Sequence, residues 1–285
     1  MTFAACVILY HPKEEDLKNI FSYLDKVEKL YVFDNTENKS IHSYFETYSK
    51  IEYYSDHENL GLSIRLNQAA NLAILDNYDY LLTMDQDSYF LEINLETYFN
   101  DIKIDIFRDD IGIYGLEHSD SEKETTPNEV KYSEVHDLIT SGSVLNLKNF
   151  MKIGGFDEKI FIDGVDIDFC LATIQKGYKC IAFKNNFFVH SLGENVKTRS
   201  FKTLYLISKN KRLHSPIRIY YMKRNMLYLE KKYKATFPEY IDEIKTKYHS
   251  LIQKNRNYSS NIYKLMKYER KAILDFKNQK MGKIS

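Results

Sequence analysis

YLLTMDQDS, Tyr80 to Ser88, is an apolar run of strand length that ends in two carboxylates separated by one glutamine. A continuous apolar run this short reads as a strand buried on both faces. Upstream of it, Ser63 to Leu75 has the apolar spacing of a helix, while Ile51 to Tyr54 and Lys29 to Phe33 read as strands. FAACVILY, residues 3–10, is a further unbroken apolar run, and Leu17, Ile20, Phe21 and Leu24 after it share one helical face. Buried strands alternating with helices predict an α/β fold, Rossmann-like, with a mainly parallel central sheet flanked by helices. Ligands of such sheets collect at the carboxyl ends of the strands. The residues standing there are Tyr10-His11-Pro12, Asp34-Asn35-Thr36, Asp56-His57 and Asp85-Gln86-Asp87.

The remaining composition narrows the class. With 44% apolar residues, 24 Tyr and 17 Phe in 285 residues, the chain can bury a substantial core, which excludes wholesale disorder and a collagen-like chain. No run of 18 apolar residues occurs, and the apolar opening lacks a basic flank and meets His11-Pro12 at once; this argues against a membrane span and a secretory signal. Cys6, Cys170 and Cys180 have no C-x-x-C spacing, so reduced thiols in a cytoplasmic protein are the expectation. Formal charge is zero overall, but Lys209 to Ser285 carries 20 Lys+Arg against 6 Asp+Glu, a net of +14, and residues 1–208 carry the opposite net of −14. That step divides the chain into a domain at 1–208 and a helical, basic, Tyr-rich C-terminal extension at 209–285, with Pro216 and Pro238 at first turns of helices. The polar stretch Ser119 to Lys131 reads as a surface loop.

Three groups of residues carry chemistry. Asp85 and Asp87 are hard oxygen ligands at a strand end, suited to Mg²⁺ or Mn²⁺ bridging a diphosphate; an acidic turn capping the next element is the plainer reading of the pair alone. GGFDEKIFIDGVDIDFCLATIQKGY, residues 154–178, places Asp163, Asp166 and Asp168 before a helical face, where helix capping accounts for one acid and Asp166 or Asp163 remains as a general base toward an acceptor hydroxyl. His190 ends the apolar run NNFFVH, which makes it a metal-ligand candidate beside the D-x-D.

These pieces, in this order, resemble the family 2 glycosyltransferases with a GT-A fold, most closely the bacterial rhamnosyltransferase-like members. The matching segments are VILYHP (7–12), VFDNT (32–36), NLGLSIRLNQA (59–69), MDQDS (84–88), TSGSVLNLKNFMKIGGFDEKIFIDGVDIDFC (140–170), VHSLGE (189–194) and RIYYMKRNMLYL (218–229). The resemblance implies that Tyr10 and Pro12 wall the nucleotide base and that Asp34 accepts a hydrogen bond from it. Asn35, Asn59, Gly61 and Asn67 would complete the donor side. Asp85 would lie near the sugar or ribose, Asp87 would ligate the metal under the diphosphate, and His190 would complete the metal shell. Asp166 aligns with the second acid of the family's Glu-Asp motif and is the implied base. Val165 stands in place of the first acid, and Asp163 is an additional carboxylate that could share the role.

The implied activity is a metal-dependent, inverting transfer of a sugar, L-rhamnose from dTDP-rhamnose before a galactofuranosyl or other hexosyl group from a UDP-sugar, to a hydroxyl of a glycan or lipid-linked acceptor in bacterial surface polysaccharide synthesis. The chemistry asks for the same parts: a cation against the leaving diphosphate and a carboxylate to take the hydroxyl proton, with no G-x-S-x-G nucleophile needed. A sugar-phosphate nucleotidyltransferase would open with a Gly-rich basic loop, where this chain has Tyr10-His11-Pro12. A nucleic-acid-binding protein fits the basic tail, but the strand-end acids would repel phosphate. The tail also predicts a peripheral position on an anionic membrane surface, with homodimerisation through tail and acidic core as the competing expectation.

Overall fold

The computed structural model describes residues 1–38, 40–119, 121–122, 132–190, 196–199, 208–259 and 261–284; most of the polar stretch 119–131 and residues 191–194 of VHSLGE lie outside them. Two compact units emerge: Met1–Glu158 with Val165–Ser191, and Lys159–Gly164 with Leu192–Ser285. This division falls at 191/192, not at the charge step of 208/209. The physical reason is a hairpin, since Val196–Arg199 pairs antiparallel with Ser208–Lys211 and backbone pairing ignores side-chain charge.

The first unit alternates strands and helices. Its strands are β1 (Phe3–Leu9), β2 (Lys29–Asp34), β3 (Ile51–Ser55), β4 (Tyr80–Asp85), β5 (Ser88–Tyr89), β6 (Ile111–Ser119), β7 (Tyr132–Glu134), β8 (Ser143–Asn146) and β9 (Lys179–His190). Its helices are α1 (Glu14–Asn19), α2 (Phe21–Leu24), α3 (His42–Phe45), α4 (Leu62–Leu75), α5 (Glu92–Ile104), α6 (Leu147–Ile153) and α7 (Val165–Gln175). The sheet runs β3-β2-β1-β4-β8-β6-β9-β5, with β7 on the flank of β9. From β3 to β4 all neighbours are parallel. Beyond β4 the sheet is mixed: β8 is antiparallel to β4 and β6, β6 is parallel to β9, and β5 and β7 are antiparallel to β9.

Strand β1 is buried along almost its whole length, which is why its sequence does not alternate. The chain leaves β1 toward β2 and β3 on one side, then returns to place β4 on the other. The strand order thus reverses between β1 and β4, and in open α/β sheets ligands bind at the carboxyl ends beside such a switch point. Gln86 ties the two strand ends together there: its Oε1 accepts from the Tyr10 N–H at 2.8 Å, and its carbonyl accepts from Asn19 Nδ2 at 3.1 Å.

The second unit holds β10 (Val196–Arg199), β11 (Ser208–Lys211), α8 (Pro216–Tyr233), α9 (Pro238–Tyr258) and α10 (Ile262–Lys277). Pro216 and Pro238 occupy first turns, where the missing N–H costs nothing, and Ser215 Oγ caps α8 by accepting from the Arg218 N–H at 3.3 Å. Ile219 and Met222 pack with Ile252 and Leu265 to join the three helices. Among the described residues no helix is long and apolar enough to cross a membrane.

Candidate active site

The carboxyl end of β4 turns at once into β5, and β5 pairs with the end of β9 so that Ser88 faces His190. That register brings together residues more than a hundred apart in sequence. Asp85, Asp87 and His190 each offer a ligand atom, and these atoms lie within 4.8 Å of one another. His190 Nδ1 stands 3.5 Å from Asp87 Oδ1 and 2.7 Å from Ser88 Oγ. Behind them Ser141 Oγ lies 2.9 Å from Ser88 Oγ and accepts from the Asp85 N–H at 3.1 Å. Two carboxylates and an imidazole form an O, O, N donor set that could hold a divalent cation.

The donor-side candidates divide into exposed and buried groups. Tyr10 is exposed and Pro12 half-buried at the end of β1. Asp34 is only 1% exposed, and its carboxylate accepts from the Thr36 N–H at 2.8 Å and the Tyr53 hydroxyl at 2.7 Å. Asn35 is buried as well; its Nδ2 donates to the Gly61 carbonyl at 3.2 Å and its Oδ1 accepts from the Leu60 N–H at 3.3 Å. Asn59 Oδ1 in turn accepts from the Gly61 N–H at 3.0 Å, and Gly61 opens α4 with φ +82°, in the left-handed region that favours glycine. Asn59 and Gly61 thus share a turn that Asn35, from the end of β2, braces through hydrogen bonds. Asn67 does something else: its amide brackets the backbone of Phe156, accepting from the N–H at 2.8 Å and donating to the carbonyl at 3.0 Å. A Cβ on Gly155 would stand 2.9 Å from Asn67 Oδ1, so this contact explains the second glycine of the Gly-Gly turn.

Arg65 is the residue that sequence reasoning missed. It is 2% exposed on α4; its Nε donates to Asn35 Oδ1 at 2.8 Å, its guanidinium pairs with Asp56, and a further N–H donates to the Glu58 carbonyl at 2.9 Å. Hydrogen bonding from Arg65 holds the Asp56 carboxyl below its ordinary range. The signal was available, since an arginine inside the apolar face formed by Leu66, Ala69, Ala70 and Ala73 needs partners.

Asp166 lies in the first turn of α7, where its Oδ1 accepts from the Ile167 N–H at 2.9 Å; Asp168 beside it is buried. Neither belongs to the Asp85–Asp87–His190 cluster. Asp163 falls in the second unit, in the left-handed conformation at φ +62°, with Arg218 Nε 3.1 and 3.3 Å from its two oxygens. Burial raises the Asp163 carboxyl above its ordinary range, and the Arg218 charge opposes that shift.

Comparison with solved structures settles the architecture. The chain superposes on S. aureus TarS 1-349 in complex with UDP-GlcNAc with a TM-score of 0.57 at 14% identity, covering 97% of this chain and 80% of that one. It superposes on GalNAc-T7 with UDP, GalNAc and Mn²⁺ with a TM-score of 0.55 at 11% identity, covering 67% and 44%. The chain has the GT-A glycosyltransferase fold. Within this GT-A framework, the sequence is 32% identical over 94 residues to dTDP-rhamnosyl transferase RfbF of Shigella flexneri, a match that spans 33% of this chain and 29% of that relative. No family model matches the chain.

Proposed function

We propose that the protein is a metal-dependent glycosyltransferase that moves a sugar from a nucleotide diphosphate to an acceptor hydroxyl with inversion. The observation that carries this reading is the convergence of Asp85, Asp87 and His190 at the carboxyl end of β4, beside the switch point of a GT-A fold. These three residues would hold Mn²⁺ or Mg²⁺, which when bound neutralises charge on the leaving diphosphate. Tyr10 and Pro12, at the end of β1, wall the base. Asp34 and Asn35 are buried; they act by fixing the turn through Thr36, Leu60 and Gly61 that borders the donor, and Asn67 acts by holding the Gly-Gly turn. Asp166 takes the proton from the acceptor hydroxyl as that oxygen attacks the anomeric carbon from the face opposite the leaving group.

L-rhamnose from dTDP-rhamnose is the donor favoured by the likeness to the Shigella rhamnosyl transferase. A UDP-hexose is the second reading, favoured by the UDP-GlcNAc and UDP complexes among the structural neighbours. The acceptor in this reading is a glycan or lipid-linked saccharide, and the net charge of +14 over Lys209 to Ser285 supports a position on an anionic membrane surface. The test is a screen of dTDP-, UDP- and GDP-sugars with Mn²⁺ or Mg²⁺, read by slow donor hydrolysis and by the rise in unfolding temperature on binding. One donor should give both signals, and excess chelator or Asp87→Ala should remove the hydrolysis. Undiminished turnover in chelator would overturn the metal-dependent reading.

A further inference from the structure

Helix α10 is turned inside out with respect to its acids. Ser259 to Ser285 contains seven Lys or Arg and two acids, Glu269 and Asp275. Both acids are buried and paired: Glu269 accepts from Arg256 Nε at 2.7 Å, and Asp275 accepts from the Tyr220 hydroxyl at 2.8 Å with Lys271 Nζ 3.1 Å away. What remains outside is apolar and basic. At 3.6 residues per turn, Ile262, Met266 and Ile273 fall in one row that ends at Lys277, and the adjoining row is Tyr263, Arg270 and Leu274, edged by Lys267. All of these are exposed, Tyr263 at 80% and Met266 at 56%. A soluble helix normally shows its acids and hides its apolar rows; α10 buries both acids beside Leu265 and Ala272 and leaves an apolar row outside.

We infer that the outer face of α10 is a docking surface for an anionic lipid bilayer, with the aliphatic side chains and Tyr263 entering the headgroup boundary and the lysines and Arg270 meeting lipid phosphates. This rests on the membrane placement proposed above and names the surface that performs it. Charge complementarity selects the occupant, because the face offers cations and no carboxylate. A second copy docked face to face would oppose Lys and Arg with Lys and Arg. A nucleic acid would engage the cations but leave Ile262, Met266, Ile273 and Leu274 in water. The basic side chains reach past the apolar ones on flexible stems, which lets both kinds of contact form at one depth.

The experiment is co-sedimentation of the full chain with vesicles of phosphatidylcholine alone and of phosphatidylcholine mixed with phosphatidylglycerol, repeated with the double variant Met266→Glu/Ile273→Glu and with Lys267→Gln/Arg270→Gln. Because all four side chains are exposed, circular dichroism should be unchanged in both variants. Binding should be about tenfold or more tighter to the anionic vesicles, should weaken with added salt, and should fall about tenfold in each variant. If the wild-type protein binds anionic vesicles and both variants bind equally well, the face assignment is overturned while the membrane placement stands. If the wild type binds no anionic vesicle, the placement falls and the inference with it. A wild-type dimer in light scattering that the same substitutions convert to monomer assigns the face to self-association and overturns the lipid surface.

Discussion

Asp163 and Asp166 stand three residues apart and meet different surroundings. Asp163 is held by a permanently charged guanidinium through two contacts from Arg218 Nε, so its lone pairs are engaged in fixing the left-handed turn at residues 163–164. Asp166 stands in the first turn of a helix, where the macrodipole favours a carboxylate, and it is the residue proposed above as the base. Asp166→Asn should therefore bind donor and metal as the wild type does and lose transfer, a combination that calorimetry with donor and a turnover assay read separately. Asp163→Asn should keep transfer and cost on the order of 1 kcal/mol in denaturant unfolding, since Arg218 is half exposed and rehydrates when its partner loses charge. The reverse pattern, transfer lost only in Asp163→Asn, would move the base to that residue.

At the scale of elements, the Asp85–Asp87–His190 cluster is a product of strand register. Ser88 and His190 face each other because β5 pairs with β9, and Ser141 reaches both Ser88 and the Asp85 N–H from the segment leading into β8. Ser88 Oγ, 2.7 Å from His190 Nδ1, anchors the ring, and its hydrogen bond sets which ring nitrogen keeps a lone pair for a cation. Ser88→Ala removes that anchor from a fully buried position, and Mn²⁺ affinity measured by calorimetry should fall roughly tenfold while the unfolding midpoint changes little. Unaltered affinity would mean that packing alone orients the ring. The D-x-D and its strand were readable in sequence because β4 is buried on both faces and ends abruptly in polar residues. The serines were not, because Ser88 meets His190 through an antiparallel pairing across 102 positions and Ser141 meets Ser88 across 53. The contact of Asn67 was illegible for a related reason: an amide on the half-exposed side of α4 looks the same in sequence whether it meets a ligand or the Phe156 backbone. The antiparallel half of the sheet was likewise hidden, since a strand buried on both faces carries no mark of its direction.

At the scale of the whole molecule, the sequence showed a charge step and the structure shows what a basic unit needs in order to fold. Arg224, 1% exposed within the second unit, lies over the rings of Tyr220 and Tyr221 and gives its N–H groups to the Tyr220 hydroxyl at 3.0 Å and the Gly282 carbonyl at 2.8 Å. The residues after α10 look like a dispensable tail by composition, yet they supply carbonyl oxygens to a charge that has left water. Ending the chain at Asn278 would leave that guanidinium short of acceptors, at a cost of about 2–3 kcal/mol for an unsatisfied buried charged group. The truncated protein should unfold at lower denaturant concentration, with the lost signal in the helical circular dichroism. Arg224→Met in the truncated chain should recover part of the loss, because an apolar side chain of similar length removes the unmet donors along with the charge. Truncation that lowers stability equally with Arg224 and with Met at that position would assign the effect to lost packing of Ile284 near Tyr221, whose hydroxyl accepts from the Ile284 N–H at 2.9 Å, and not to the buried guanidinium.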